Sequence, residues 1–212
     1  MMTLYGYWRS SSSWRVRIVL AYKRIEYRHV PVNLIREGGE QRSEEHQQRN
    51  PMKQIPVLEL ADGRMLAESV AIAEYLESIH PTPAMFPRDP FERARVLEMV
   101  EMINSGIQPL QNMKVLQAVS DLGGDKQAWA ARWIRAGLEA LELRASQQPC
   151  RFLVGDHPTF ADACLIPQLY NARRFGVELF TLERLLAVEA QCLAQESFVA
   201  THPDMQPDKP NL

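Results

Sequence analysis

The residues best suited to chemistry are four consecutive serines, Ser10-Ser11-Ser12-Ser13, set between Arg9 and Trp14-Arg15-Val16-Arg17. They fall where a short aromatic, extended segment from Thr3 to Trp8 gives way to Trp14, Ile18, Ala21 and Tyr22 at helical spacing. The start of a helix leaves backbone N–H groups pointing outward and adds the positive end of the helix dipole. It therefore stabilises an anion, a thiolate included. A serine hydroxyl in the same turn can donate one further hydrogen bond. Lowering a thiol pKa from about 8.5 by about two units represents roughly 2.7 kcal/mol. A helix end with one or two charge-assisted hydrogen bonds reaches that size. No cysteine stands in this turn, so thiol chemistry here must use a thiol from outside the chain. The plain alternative is a polar loop with an N-cap. Arg9, at the strand end, is the better anion contact, while Arg15 and Arg17 read as surface or salt-bridge residues.

The remaining reactive residue types exclude more than they suggest. Cys150, Cys164 and Cys192 are odd in number, widely spaced and without a CxxC pair, so neither a disulfide framework nor a zinc site is expected. His29, His46, His80, His157 and His202 show no HxxxH or HExxH spacing, and no metal site is expected. Gly38-Gly39 and Gly123-Gly124 stand alone in polar surroundings and read as turns, not as a nucleotide-binding loop. A net charge of −2 argues against nucleic acid as a partner. No apolar run is long enough to span a bilayer, and MMTLYGYWRSSSSW lacks the order of a signal peptide. The expectation is a cytoplasmic protein with no membrane partner.

The elements that must position the serine turn follow from periodicity. Tyr27 to Val32 is again strand-like, and a polar helix is expected from Gly39 to about Arg49. Pro56-Val-Leu-Glu-Leu and Arg64-Met-Leu flank Ala-Asp-Gly, a hairpin signal, and Ser69 to Ile79 reads as a helix. The order βαβαββα is a small mixed sheet with helices packed on it, a thioredoxin-like domain over 1–80. Residues 81–89 form a proline-rich linker that cannot continue a helix. From 90 to 212 the period stays near 3.6 residues, with helical segments at about 90–118, 125–147, 160–174 and 181–200. The class is therefore α+β followed by all-α. Thr159-Phe-Ala-Asp162 is a helix-start box, and its two polar residues are expected to hold that helix together. The tail from His202, with three prolines, reads as a loose or surface-laid strap. The ends of the two halves are expected to meet in a cleft, a common place for ligands.

Several separated motifs now carry a resemblance: SSSSWRVRI, VNLIREGGEQ, NPMKQIPVLE, ESVAIAEYLE, GIQPLQNMKVL, TFADACLIPQ, NARRFGVEL and HPDMQPD. Together they cover nearly the whole chain, and the chain resembles the zeta class of glutathione transferases, the maleylacetoacetate/maleylpyruvate isomerase family. The resemblance implies the glutathione transferase fold, glutathione as cofactor and a homodimer. It places Ser10 and Ser11 beside the sulfur, with Ser11 making the main hydrogen bond. Lys53-Gln54-Ile55-Pro56 matches the segment whose proline is cis, where the Ile55 backbone pairs with the tripeptide like an added strand. Glu68 and Ser69 match the helix start holding the γ-glutamyl end, Ser69 for the carboxylate and Glu68 for the amino group. Gln111 and Asn112 match residues that close over the cofactor, their alternative being helix packing. Arg174 matches an arginine that grips a substrate carboxylate, and Arg9 is the second candidate. Arg173 is expected to face solvent. Zeta members commonly read Ser-Ser-Cys in the turn, where this chain has Ser12.

The implied reaction is glutathione-dependent cis–trans isomerisation of a small dicarboxylate, maleylacetoacetate or maleylpyruvate. The same activated thiolate would serve a general glutathione transferase or peroxidase, and a binding module without turnover is the third alternative. Two arginines at the substrate site favour the first, because general electrophile sites are apolar. The intact serine turn argues against the third.

Overall fold

Residues 1–210 are described by a computed structural model. They divide into two units: Met1–Met85 with the chain from Gln195 onward, and Phe86–Ala194.

In the first unit β1 (Met2–Gly6) runs beside β2 (Tyr27–Pro31) in parallel, joined through α1 (Ser11–Tyr22). The hairpin of β3 (Val57–Glu59) and β4 (Met65–Ala67) completes a four-stranded sheet of order β2-β1-β3-β4, with β3 antiparallel to β1. The turn is drawn in by Asp62, whose carboxylate accepts the Arg64 N–H at 3.1 Å. α3 (Ser69–Ile79), a helix as expected, packs beside α1 with Ile72, Ala73 and Leu76 buried. On the sheet, Tyr5, Val32 and Val57 gather with Val30, Ile55 and Ala67 into a separate apolar cluster.

Several sequence expectations need correction. The polar helix after Gly39 does not begin until Glu44: Glu37, Gly38 and Gly39 all take positive φ, so 36–42 winds into two 3-10 turns before α2 (Glu44–Arg49). Arg15 and Arg17 are fully buried, not at the surface. Arg17 donates through its two terminal nitrogens to the carbonyls of Tyr7, Trp8 and Thr201. The last residues do not continue the helical half, since from Gln195 they fold with the first unit, where α9 (Glu196–Val199) packs on α1.

In the helical unit the expected segment 90–118 is broken. α4 (Pro90–Asn104) ends ahead of Gly106, a 3-10 turn spans Gln108–Gln111 around Pro109, and α5 (Met113–Asp121) starts on the cap of Asn112. α6 (Lys126–Ser146), α7 (Phe160–Arg174) and α8 (Glu183–Leu193) follow. α7 is the buried centre, packed against α4, α6 and α8. Asp162 secures its start: the carboxylate, fully buried, accepts the Thr159 N–H at 2.7 Å, the Thr159 hydroxyl at 2.8 Å and the Leu153 N–H at 2.9 Å. No helix among the described residues is long and apolar enough to cross a membrane.

Candidate functional site

The serine run does two different jobs. Ser10 is extended (φ −68°, ψ 122°), and its hydroxyl accepts the Ser13 N–H at 3.2 Å, so it is the N-cap of α1. Ser13 is buried and its hydroxyl accepts the Tyr7 N–H at 3.4 Å, closing the turn from inside. Ser11 and Ser12 open the helix and are half-buried, on the rim of the turn. The first turn of α1 holds no acidic residue, so the positive helix end is not neutralised locally. Arg9, half-buried, lies with its guanidinium 5.1 Å from the centre of the Trp8 ring.

The second segment is Lys53-Gln54-Ile55-Pro56. Ile55–Pro56 is cis, as the resemblance implies, and Lys53 sits at φ 55°, a region that β-carbon-bearing residues seldom enter. Two residues to which the sequence assigned no role hold the segment. The Gln54 carbonyl accepts from the Asn50 side chain at 3.1 Å and from His46 Nε2 at 2.9 Å. Asn50 also takes the Met52 N–H on its side-chain oxygen and the Lys53 N–H on its carbonyl. The Asn50-Pro51 pair was the available signal, because Asn before Pro favours a turn of this kind.

Glu68 is the second non-glycine residue of this unit at an unusual φ within a site segment, at 68°. It precedes α3 without making a capping bond, and Ser69 behind it is buried. The first turn of α3 also lacks an acidic residue, whereas those of α2 and α4 carry Glu44, Glu45 and Glu92. Two uncompensated helix starts and two strained residues within one unit fit an extended, anionic peptide. A cavity of about 600 Å³ lies between Tyr5, Val30 and Val32 and the segment 36–49; His46, which holds the Gln54 carbonyl, lines it, whereas the serine turn, Lys53–Pro56, Glu68 and Ser69 do not. Its size alone gives it no chemistry.

In the helical unit Gln111 and Asn112 make packing and capping bonds. Gln111 is buried, donates to Gln168 Oε1 at 2.8 Å and accepts from Gln168 Nε2 at 3.3 Å. Asn112 caps α5, accepting the Lys114 N–H at 3.0 Å. Arg173 is indeed exposed, but it makes a two-pronged pair with Glu189, both N···O distances 2.6 Å. Arg174, next to it at the end of α7, is exposed, donates to Asn171 Oδ1 at 3.0 Å and lies 5.8 Å from the Phe175 ring centre.

Comparison with known proteins adds a second line of support. Residues 1–78 match the glutathione S-transferase N-terminal domain, and residues 126–191 match the C-terminal domain. A probable maleylacetoacetate isomerase of Drosophila melanogaster is 46% identical over 98% of this chain and 90% of its own length. A maleylacetoacetate isomerase of Anaeromyxobacter dehalogenans, solved with glutathione in its active site, is 48% identical, with a TM-score of 0.90 over 99% of this chain and 98% of that one. Another structure of that enzyme holds dicarboxyethyl glutathione and citrate in the active site (TM-score 0.89, 46% identity, 99% of this chain and 94% of that one). A maleylpyruvate isomerase described as a bacterial zeta-class glutathione S-transferase superimposes with a TM-score of 0.93 at 36% identity, over 98% of this chain and all of that one.

Proposed function

Because this chain belongs to the maleylacetoacetate isomerase family, the zeta class of the glutathione S-transferases, we propose that it is a glutathione-dependent cis–trans isomerase of a small dicarboxylate. The observation that carries the proposal is the near-full-length similarity to an isomerase that holds glutathione in the active site of one structure and dicarboxyethyl glutathione in that of another. A thiol adding across the double bond of an unsaturated four-carbon dicarboxylate produces a group of that kind. The chemistry that bound glutathione supplies is reversible thiolate addition to a conjugated cis alkene, which makes the bond single and free to rotate before elimination restores it as trans.

The chain's own residues do the rest. Ser11, at the first position of α1, donates its hydroxyl to the sulfur and, with the helix end, keeps the thiol ionised near neutral pH. Ser10 caps the helix and orients that turn. The Lys53–Pro56 segment offers backbone to the tripeptide. Ser69 and the start of α3 take the γ-glutamyl carboxylate, and Glu68 takes its amino group. Gln111 and Asn112 keep, beside their packing bonds, the cofactor contact that the resemblance gives them. In the helical unit Arg174 takes a substrate carboxylate and the charge that develops on addition, and Arg9 of the first unit is the second candidate for that role.

The substrate is maleylacetoacetate or maleylpyruvate, both of which offer two carboxylates and a cis alkene. We infer a cytoplasmic homodimer, in keeping with three free cysteines and a cofactor that must stay reduced. Glutathione-dependent isomerisation of both compounds, followed side by side, is the test. Turnover of at least one, strictly dependent on glutathione, is expected. Conjugation of an uncharged electrophile with neither compound isomerised would overturn the reading. Sedimentation should give a species of twice the 24.3 kDa chain mass, and only a monomer at micromolar concentration would refute the dimer.

A further inference from the structure

Between the end of β1 and the start of α1, the backbone of Tyr7 and Trp8 is held at every polar group. The Tyr7 N–H goes to Ser13 Oγ at 3.4 Å, and the Tyr7 carbonyl accepts from Arg17 at 3.3 Å and from the Ser10 N–H at 3.0 Å. The Trp8 carbonyl accepts from Arg17 at 2.9 Å. The remaining group, the Trp8 N–H, donates at 2.9 Å to Asp208 Oδ2, a carboxylate 200 residues further along the chain. The other Asp208 oxygen lies 3.4 Å from His29 Nε2 on β2.

Asp208 is not carried there by a loose tail. Trp14 Nε1 donates to Thr201 Oγ1 at 3.2 Å, Arg17 donates to the Thr201 carbonyl at 3.4 Å, and the His202 ring meets the Trp14 ring edge-on at 5.2 Å. The Asp208 carboxyl is held below the usual carboxylate range: burial opposes its charge, and His29 and the Trp8 N–H outweigh that. A paired carboxylate this close to an anion site would disfavour a thiolate if charge were its contribution, so geometry is the better account.

We infer that Asp208 is a positioning residue for the serine turn: by fixing the Trp8 amide, the tail sets the turn that presents Arg9, Ser10 and Ser11. The functional half of this inference rests on the isomerase proposal, whereas its structural half does not.

The test uses the full chain with Asp208→Ala and Asp208→Asn, the latter keeping an oxygen that can accept the Trp8 N–H. The first measurement is hydrogen exchange of the ligand-free protein by mass spectrometry. Asp208→Ala should speed exchange in peptides covering residues 7–12 about tenfold or more, with peptides of the helical unit unchanged. The second is the ultraviolet absorbance of the thiolate of bound glutathione against pH. In Asp208→Ala its midpoint should rise by about half a unit or more, with kcat falling about tenfold and glutathione affinity changing less than threefold. Asp208→Asn should recover most of both effects. Exchange at 7–12 and a thiol titration like wild type in Asp208→Ala, even with a lower Tm, would reduce Asp208 to a tail anchor and overturn the inference. So would Asp208→Asn proving no better than Asp208→Ala. If wild type binds no glutathione, the isomerase reading fails, and the exchange result still decides whether Asp208 holds the turn.

Discussion

The Ser10 hydroxyl accepts the backbone N–H of Ser13 at 3.2 Å, which makes Ser10 the cap of α1 while its own O–H stays able to donate. Ser10→Ala removes the cap and should cost about 1 kcal/mol of stability; with Ser11 making the main hydrogen bond to the sulfur, activity should fall only as far as the turn loosens, and a large loss confined to Ser10→Ala would move the contact to Ser10. Ser11 follows the cap, so Ser11→Ala should leave the melting temperature within about a degree or two while lowering kcat/KM about a hundredfold, the loss of one charge-assisted hydrogen bond. Ser12→Ala should do little. Thermal melts and kinetics on the three variants check this, and equal activity in Ser11→Ala and wild type would move the thiol contact to another group.

Arg173 and Arg174 are adjacent, yet they should behave differently. Arg173 spends its guanidinium on Glu189. As an exposed pair this is worth about 0–1 kcal/mol, and Arg173→Ala should change kcat/KM less than twofold. Arg174→Ala should lower kcat/KM for a cis dicarboxylate roughly tenfold to hundredfold, the loss of about 1.5–3 kcal/mol of charge-assisted contact. Glutathione affinity should stay unchanged, and turnover of an uncharged electrophile should hold. Equal loss on both substrates would make Arg174 a structural residue.

The Lys23 ammonium is buried and holds three partners: Glu77 at 2.6 Å and the carbonyls of His80 and Pro83 at 2.7 and 2.8 Å. Glu77 also accepts the Met85 N–H at 3.1 Å. Lys23→Met leaves that carboxylate without its cation, and urea denaturation should register a loss of about 3–5 kcal/mol. Lys23→Met/Glu77→Gln should recover at least half, because the stranded charge is gone.

Asp162 predicts a pH dependence of definite sign. Burial pushes its carboxyl up to about 6, against the hydrogen bonds from Leu153 and Thr159 that favour the charge. An unfolded aspartate titrates near 3.9, so between about pH 4 and 6 the folded state binds the extra proton. The stabilising contribution of Asp162 is then largest near pH 4, declines up to about pH 6 and is flat above. The stability lost in Asp162→Ala, measured by urea denaturation at several pH values, should follow that course. A loss that grows with pH would show that the hydrogen bonds dominate.

Much of this molecule was legible locally. Ser69–Ile79 matched its expected bounds because an apolar stripe of helical period needs no distant partner to be recognised. The hairpin around Asp62-Gly63 followed from turn chemistry, and the start of α7 from Thr159 and Asp162. Local rules failed where two tendencies competed. Between 36 and 42 the glycines overrode a polar helical pattern, and Gly106 with Pro109 cut one long helical segment in two.

By itself the sequence determined that an anion-favouring turn of serines opens the first helix, and that this turn belongs to a glutathione-dependent family. It did so because helix starts, periodicity and motif spacing are encoded within a few residues. Only the tertiary structure decided which polar residues serve that turn. Arg17 looked like a surface cation, and it is buried because three carbonyls, one of them at Thr201, converge on it. The Gln111 amide is engaged by Gln168, 57 residues on. Asp208 had no assigned duty, and it lies against the Trp8 N–H because Trp14 and Arg17 hold the tail in place. A buried polar group is stable only when its partners are present, and those partners come from parts of the chain that no sequence window spans.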